Sequence, residues 1–214
     1  MNIACSWSGG KDSCYALMKA LQNGHSLKAI VNMMNENGRI SRSHGLPLSV
    51  LEQQARAMQV PLIAEATSWN EYQLHFVQSL NRIRQDFSVE AMVFGDIDLQ
   101  QHRDWEEMVC SKANLQALLP IWKEERTALV QEMLDAGLEI MIVSCNTLMG
   151  ERFLGERLTS SLCTELDSIG VDVCGENGEF HTVVINCPIF KNSISLPSHS
   201  NVLQDNYWFL QWHL

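Results

Sequence analysis

The chain has 214 residues, 46% of them hydrophobic and 19% charged, so it can bury a core, and its composition excludes disorder, collagen-like repeats and coiled coil. With 15 Lys and Arg against 25 Asp and Glu, its net charge of −10 excludes non-specific nucleic-acid binding. The 7 Cys include no C-x-x-C pair, which argues against a disulfide framework or a zinc ribbon. Because the start of the chain lacks signal-peptide features and no run reaches about 18 apolar residues, we predict a cytoplasmic protein without membrane contact.

Short apolar runs alternate with helical patterns in the first half of the chain. This alternation is typical of an α/β protein with a mostly parallel sheet. The predicted elements are, in order, a strand over 3–7, a helix around 14–21, a strand over 28–34, a helix around 48–58, a strand over 62–66, a helix around 72–83, a strand over 91–95 and a helix over 101–112.

The second half begins near Pro120, which interrupts the pattern. A helix over 124–136, stopped by Gly137, leads into a strand over 139–143. Further on, 172–186 is predicted as two strands around a tight turn, because Asn177-Gly178 is a strong hairpin signal, and the tail over 206–214 is strand-like. We therefore predict two domains, 1–118 and a smaller α+β domain over 119–214.

The hexapeptide Ser8-Gly9-Gly10-Lys11-Asp12-Ser13 lies directly between the first predicted strand and the first predicted helix. Two glycines let the backbone approach an anion, while lysine can neutralise phosphate charge and the two serines can donate hydrogen bonds. Asp12 would repel a bare phosphate, which indicates a bound cation or a role in shaping the loop. The segment matches neither a Walker A loop nor G-x-G-x-x-G. The alternative is a Gly-Gly turn with a capping serine, but the strand-to-helix position favours an anion site.

This hexapeptide resembles the phosphate-binding loop of the PP-loop ATP pyrophosphatase superfamily, which is adenine nucleotide alpha hydrolase-like. The resemblance implies a Rossmann-like (HUP-type) parallel sheet. Members cleave ATP between its α and β phosphates, and the substrate becomes adenylated. The resemblance also implies ATP and Mg²⁺ as cofactors, with Asp12 as the metal-binding residue. The implied ATP-binding residues are Ser8, Gly9, Gly10, Lys11, Asp12, Ser13, Gly95 and Asp96.

Three further stretches resemble the diphthine–ammonia ligase family within that superfamily. They are Gly95-Asp96-Ile97 with Gln101, Arg103, Trp105, Glu106 and Cys110 downstream, then Leu119 to Trp122, and the complete Gly175-Glu176-Asn177-Gly178-Glu179-Phe180-His181-Thr182. The resemblance runs from about residue 3 to residue 194, and the tail after Pro197 is outside it. It implies amidation of the carboxylate of diphthine, a modified histidine of elongation factor 2, with ATP and ammonium.

The resemblance also implies the remaining site residues. The implied catalytic residues are Lys11, Asp12, Glu176, Glu179 and His181, and the implied substrate-binding residues are His44, Gln101, Arg103, Asn177, Gly178, Phe180 and Thr182. One of the two glutamates would bind ammonium and accept its proton, although by spacing alone both are solvated turn carboxylates. His181 is the alternative base, since histidine ordinarily titrates near neutrality. By position alone, Asp96 could instead cap a helix or lie in a turn, and Arg103 could instead pair with Glu107 on a helix face.

Two other functions remain open at the level of sequence. One is a PP-loop enzyme that adenylates a different acceptor, a small acid or an RNA. Bacterial relatives are an example of this case, because bacteria lack diphthamide. The other is a sensor that binds an adenine nucleotide without turnover. Because a sensor needs less than both complete motifs, we expect an enzyme. Its predicted partners are ATP, ammonium, and either elongation factor 2 or a small carboxylate, and a homodimer is the predicted assembly.

Overall fold

Five parallel strands form the first sheet of a computed structural model that describes residues 1–213. Its order is β3-β2-β1-β4-β5, with the strands at Asn2–Ser6 (β1), Ser26–Met34 (β2), Leu62–Ala66 (β3), Ala91–Val93 (β4) and Gln116–Leu118 (β5). The predicted Rossmann-like parallel sheet is confirmed. The short edge strand β5 was missed, since three residues carry too little alternation to be recognised. Strand order reverses between β1 and β4, the place where such sheets bind ligands.

Helices cover both faces of this sheet. They are α1 (Lys11–Gln22), α2 (Leu48–Met58), α3 (Tyr72–Phe87) and α4 (Gln100–Lys112). Ile3 and Cys5 of β1 pack in the same core as α1 and α2, whereas Ala4 packs with α3 and α4. A strand covered on both sides has no solvent face, which explains the uninterrupted apolar run at the start of the chain.

The rest of the chain builds a smaller, antiparallel sheet with the order β7-β6-β9-β8. Its elements are α5 (Arg126–Asp135), β6 (Glu139–Asn146), a 3-10 helix (Glu151–Phe153), α6 (Ser160–Ser168), β7 (Phe180–Asn186), β8 (His199–Gln204) and β9 (Tyr207–Trp212). The predicted small α+β part is thereby confirmed. One hydrophobic core joins Leu17 of α1 to Ile140 and Val184 of the second sheet. Across residues 1–213, no helix combines the length and the apolar character needed to span a membrane.

The hairpin predicted over 172–186 is wrong. Only its second half is a strand, β7, and it pairs with β6 instead of with the residues before it. The segment before Phe180 is a compact loop in which Gly175 and Gly178 adopt positive φ angles of 71° and 83°. The carboxylates of Asp172 and Glu179 accept hydrogen bonds from its amides, which replaces a strand ladder with side-chain bonds.

Candidate active site

A cavity of about 550 Å³ opens at the carboxyl ends of β1, β2 and β4, at the reversal of strand order. Segments far apart in the chain meet there: the hexapeptide after β1, residues 43–44, the end of β4, the start of α4 and the loop before β7. A crevice at this position is where open α/β sheets bind their ligands.

The hexapeptide leads from β1 into the first turn of α1, as predicted. Gly9 has a φ of 87°, and a Cβ at Gly10 would lie 2.4 Å from Cε1 of His44. The hydroxyls of Ser8 and Ser13 are 3.0 Å apart, and Ser8 Oγ accepts a hydrogen bond from the amide of Gly10. Gly10 is the N-cap of α1 and, having no side chain, offers no cap to the helix amides. Ser8 and residues 11–13 line the cavity, so the uncapped start of α1 borders it, and its positive helix end favours an anion there.

Gly95, predicted to bind ATP, lines the cavity against this turn. A Cβ at Gly95 would lie 2.6 Å from the backbone nitrogen of Ser13, a backbone atom that cannot move without displacing α1. Glycine at this position lets the end of β4 approach the hexapeptide closely.

Lys11, the fourth residue of the hexapeptide, is buried, with 3% of its surface exposed. Its Nζ donates hydrogen bonds to Oδ2 of Asp12, at 2.8 Å, and to the main-chain oxygen of Cys174. Burial by itself lowers the pKa of Lys11, but Asp12 and Glu176 outweigh it, and the pKa lies above its ordinary value. Lys11 therefore brings a permanent positive charge to the cavity.

Glu176 lines the cavity opposite Lys11 and lies within electrostatic range of two other carboxylates, Asp12 and Asp96. Burial, followed by the charge of Asp12, raises the pKa of Glu176 to about 7, against the opposing effect of Lys11. A carboxyl group with this pKa can accept and release a proton near neutrality. Asp12 also lines the cavity, and its Oδ1 is buried without any hydrogen-bond partner.

Glu179, the second glutamate predicted to be catalytic, lies outside the cavity lining and is 9% exposed. Its Oε1 accepts hydrogen bonds from the amide of Asp172 and the side chain of Asn177, and its Oε2 accepts one from the amide of Asn177. Both oxygens are thus used within the loop. The structure separates the two glutamates: Glu176 faces the cavity, and Glu179 holds the loop that carries it.

His44 and His181 form a tilted ring pair at the cavity wall, with ring centroids 4.7 Å apart and an interplanar angle of 34°. Nδ1 of His44 lies 2.8 Å from the carbonyl oxygen of Thr182, so this nitrogen is the donor. Burial lowers the pKa of His44 to about 4, and burial with the charges of His44 and Lys11 lowers the pKa of His181 to about 3. The expectation that His181 titrates near neutrality is therefore wrong. Both rings are neutral at pH 7, and His181 is a weaker base than Glu176.

Asp96 lies just beyond β4 and accepts a hydrogen bond from Nδ1 of His102 at 2.7 Å. Its interpretation as a helix cap is wrong, because the N-cap of α4 is Leu99. Glu106, one turn beyond His102, is 4% exposed, and burial together with Asp96 raises its pKa to about 11. Glu106 is therefore a neutral acid at pH 7 in the folded protein.

An aromatic wall that was not predicted from the sequence lies on the same cavity. Trp69, which is 67% exposed, stacks on Tyr72 at 5.6 Å, and Tyr72 lies 5.8 Å from Trp105. All three rings line the cavity together with His102 and Glu106. Only Trp105 and Glu106 carried a sequence signal, because both belong to the stretch that follows Gly95-Asp96-Ile97.

Three predicted substrate-binding residues are not brought to the cavity lining, namely Gln101, Arg103 and Asn177. Gln101 and Arg103 lie on α4 away from its lining. The Nε of Arg103 donates to Oε1 of Glu107 at 2.7 Å, and its guanidinium lies over Trp122, which fits the interpretation of this arginine as a helix-face partner. Asn177 points to Arg126 and Glu179 instead. The cavity lining does include His44, Gly178, Phe180 and Thr182.

Two family models match almost the whole chain. The diphthamide synthase N-terminal domain matches residues 1–117, and the diphthamide synthase C-terminal domain matches residues 125–214. This chain belongs to the diphthamide synthase family. The second match runs through the tail after Pro197, so the expectation that the tail lies outside the resemblance is wrong.

The curated relatives agree with the extent of this match. The chain is 25% identical to a diphthine–ammonia ligase of Danio rerio, over 96% of this chain and 90% of the relative, and 27% identical to one of Homo sapiens, over 95% and 85%. Among solved structures, a predicted subunit of tRNA methyltransferase from Methanocaldococcus jannaschii aligns at 14% identity with a TM-score of 0.48, covering 91% of this chain and 100% of that one.

Proposed function

We propose that this member of the diphthamide synthase family is an ATP-dependent ligase that joins ammonia to a carboxylate and releases AMP and pyrophosphate. The acceptor named by its relatives is diphthine, and we propose the diphthine side chain of elongation factor 2 as the acceptor here. The observation that carries the proposal is the pairing of a phosphate-binding turn with Glu176, a carboxyl group of pKa about 7, across one cavity. A cytoplasmic location and a homodimer stay predictions.

The phosphates of ATP fit the hexapeptide end of the cavity. The start of α1 supplies amides and a positive helix end, and Lys11 supplies a buried charge. Both features favour the pyrophosphate as it departs, because negative charge grows there during cleavage. In this proposal residues 1–118 bind ATP, and residues 119–214 supply the loop of Glu176 and recognise the acceptor.

Mg²⁺ fits this arrangement through Asp12. Its Oδ1 is a buried oxygen without a hydrogen-bond partner, and Mg²⁺ takes one or two carboxylates together with substrate phosphates. Among residues 1–213, no group of three or more His, Cys, Asp or Glu is placed to hold a metal ion by itself. Asp12, with Asp96 nearby, would hold the ion against bound phosphates, where it neutralises part of their charge.

The two chemical steps need few protein groups. A carboxylate oxygen of the acceptor attacks the α-phosphorus of ATP, and pyrophosphate leaves from the hexapeptide. Ammonium then loses a proton to the carboxylate of Glu176, and the resulting ammonia attacks the acyl carbon as AMP leaves. The second nitrogen proton passes to solvent. Because His44 and His181 stay neutral, they add no positive charge that would repel ammonium.

The test follows α-labelled ATP with Mg²⁺ and ammonium, in the presence of elongation factor 2 carrying diphthine or of small carboxylates in parallel. We expect AMP, and an amide on the acceptor detected by mass spectrometry. An Asp12→Ala variant should form neither, while Lys112→Met, at an exposed lysine of α4, should match wild type. Tight ATP binding without AMP from any acceptor would indicate a sensor, and ADP would exclude α–β cleavage.

A further inference from the structure

Arg126, the first residue of α5, connects the two sheets through its side chain. Its Nε and Nη2 donate to the two carboxylate oxygens of Asp98, at 2.9 and 2.8 Å. Its Nη1 donates to Oδ2 of Asp172 and, at 3.3 Å, to Oδ1 of Asn177. Asp98 follows β4, and Asp172 begins the loop before β7. One guanidinium therefore ties the end of the first sheet to the loop that carries Glu176.

Asp172 passes this connection on to the loop backbone. Its Oδ1 accepts the amide of Cys174 at 2.9 Å, and its Oδ2 accepts the amide of Glu176 at 3.3 Å. The thiol of Cys174 also donates to the main-chain oxygen of Arg126 at 3.1 Å, and the carbonyl of Cys174 accepts Nζ of Lys11. The backbone on both sides of Gly175 is thus fixed from the arginine on one side and from the hexapeptide on the other.

The geometry requires an arginine. A planar guanidinium has five N–H groups in a rigid fork, so it can bind one carboxylate bidentately and a second along its other edge. Lysine carries the same charge on a single nitrogen and cannot reproduce both edges. The hydrogen bonds between Arg126 and Asp98 raise the pKa of the arginine and lower that of the carboxyl group, so this pair stays charged. Asp172, at the second edge, is only 11% exposed.

We propose that Arg126 is a positioning residue for amide formation, which holds Glu176 over the hexapeptide through Asp172 without itself lining the cavity. This inference rests on the proposed function, because it assigns to Arg126 the placement of the group that deprotonates ammonium. A displacement of about 1 Å in a catalytic group can cost about 100-fold in rate. An ion pair that only stabilises the fold would change stability without changing the chemical step.

The first test compares Arg126→Lys with wild type and with Arg152→Ala, which removes a solvent-exposed ion pair to Glu165 far from the cavity lining. We expect Arg126→Lys to bind ATP within about three-fold of wild type and to lose about 100-fold in kcat for AMP and amide formation. The Arg152→Ala control should match wild type. Wild-type kcat in Arg126→Lys would overturn the proposal.

The pH profile separates charge from geometry. The charged groups that face Glu176 are Asp12 and Lys11 of α1, Asp96 beyond β4, and Arg126 of α5. Arg126 lowers the pKa of Glu176, so Arg126→Ala should move the acidic limb of the profile to higher pH. Arg126→Lys keeps the charge and should leave the limb in place while lowering the plateau. A limb that stays in place in Arg126→Ala would overturn the link to Glu176.

Hydrogen exchange tests the positioning without any acceptor. In Arg126→Lys the peptide spanning 172–178 should lose protection, while α1 and β7 keep theirs, because the amides of Cys174 and Glu176 depend on Asp172. Unchanged protection would overturn the proposal even if wild type made no amide, and absence of amide in wild type would overturn only the proposed function. If Arg126→Ala fails to fold, Arg126→Gln replaces it in the pH profile, since it also removes the positive charge that lowers the pKa of Glu176.

Discussion

The Nζ of Lys11 donates a hydrogen bond to the main-chain oxygen of Cys174, which joins two residues 163 positions apart in the chain. Lys11 is the first residue of α1, which packs on the parallel sheet. Cys174 lies two residues before Glu176 in the loop ahead of β7. The lysine that we propose to bind phosphate is therefore fixed directly to the loop that carries Glu176, the proposed proton acceptor.

Lys11→Met should weaken ATP binding by about 10- to 100-fold, because a charge-assisted hydrogen bond to phosphate contributes about 1.5–3 kcal/mol. Isothermal titration calorimetry of ATP in the presence of Mg²⁺ measures this change. Lys112→Met is the matched control, since that lysine is exposed at the end of α4. Equal ATP affinity in both variants would remove Lys11 from the phosphate site.

Glu176→Gln should leave ATP affinity within a few-fold of wild type and abolish amide formation, because glutamine cannot accept the proton of ammonium. In wild type, turnover should rise as pH increases through about 7, where Glu176 loses its proton. The turnover of wild type and of Glu176→Gln is measured as AMP release over a pH series. Amide formation at the wild-type rate in Glu176→Gln would assign the base to another group.

Glu179→Gln should act on stability first. The carboxylate of Glu179 accepts three hydrogen bonds inside the loop, and a glutamine would set an N–H donor against one of these donors. An unpaired buried donor costs about 1–3 kcal/mol, and each kcal/mol lowers the Tm of a chain of this size by about 2–4 °C. Differential scanning calorimetry measures the shift. Full loss of product at unchanged Tm would restore Glu179 as a catalytic residue.

Glu106→Gln should flatten the pH dependence of stability. The pKa of Glu106 is about 11 in the folded protein and ordinary, near 4.5, when unfolded, so between these values the folded state holds a proton that the unfolded state does not. Glu106 therefore stabilises the fold less and less as pH rises above about 4.5. Relative to wild type, Glu106→Gln should gain Tm between pH 5 and pH 9.

Glu107→Gln, at a half-exposed neighbour on the same helix, is the control for this series and should change Tm equally at both pH values. A parallel shift of Glu106→Gln and Glu107→Gln across the series would mean that Glu106 is ionised in the folded protein.

Two local features of the sequence were enough to predict the fold class and to single out the hexapeptide as a candidate phosphate-binding turn. Apolar runs that alternate with helical stripes predict a parallel sheet, because the spacing of buried residues is visible within a few positions of the chain. The run in β1 is apolar because helices cover both faces of that strand. The hexapeptide was recognisable because Gly9 and Gly10 meet a local conformational demand at a strand-to-helix junction.

The remaining features of the site depend on groups that are distant in the chain. Glu176 and Glu179 look equivalent in a turn sequence, and only packing against α1 shows which of them faces the cavity. The pKa of His181 is lowered by burial and by His44, which lies 137 positions earlier in the chain. No local sequence pattern reports such a contact. Arg126 carried no sequence signal for the same reason. The two carboxylates that it binds, Asp98 and Asp172, are brought to it only by the fold. Burial and electrostatics depend on distance in space, which the order of residues along the chain does not show.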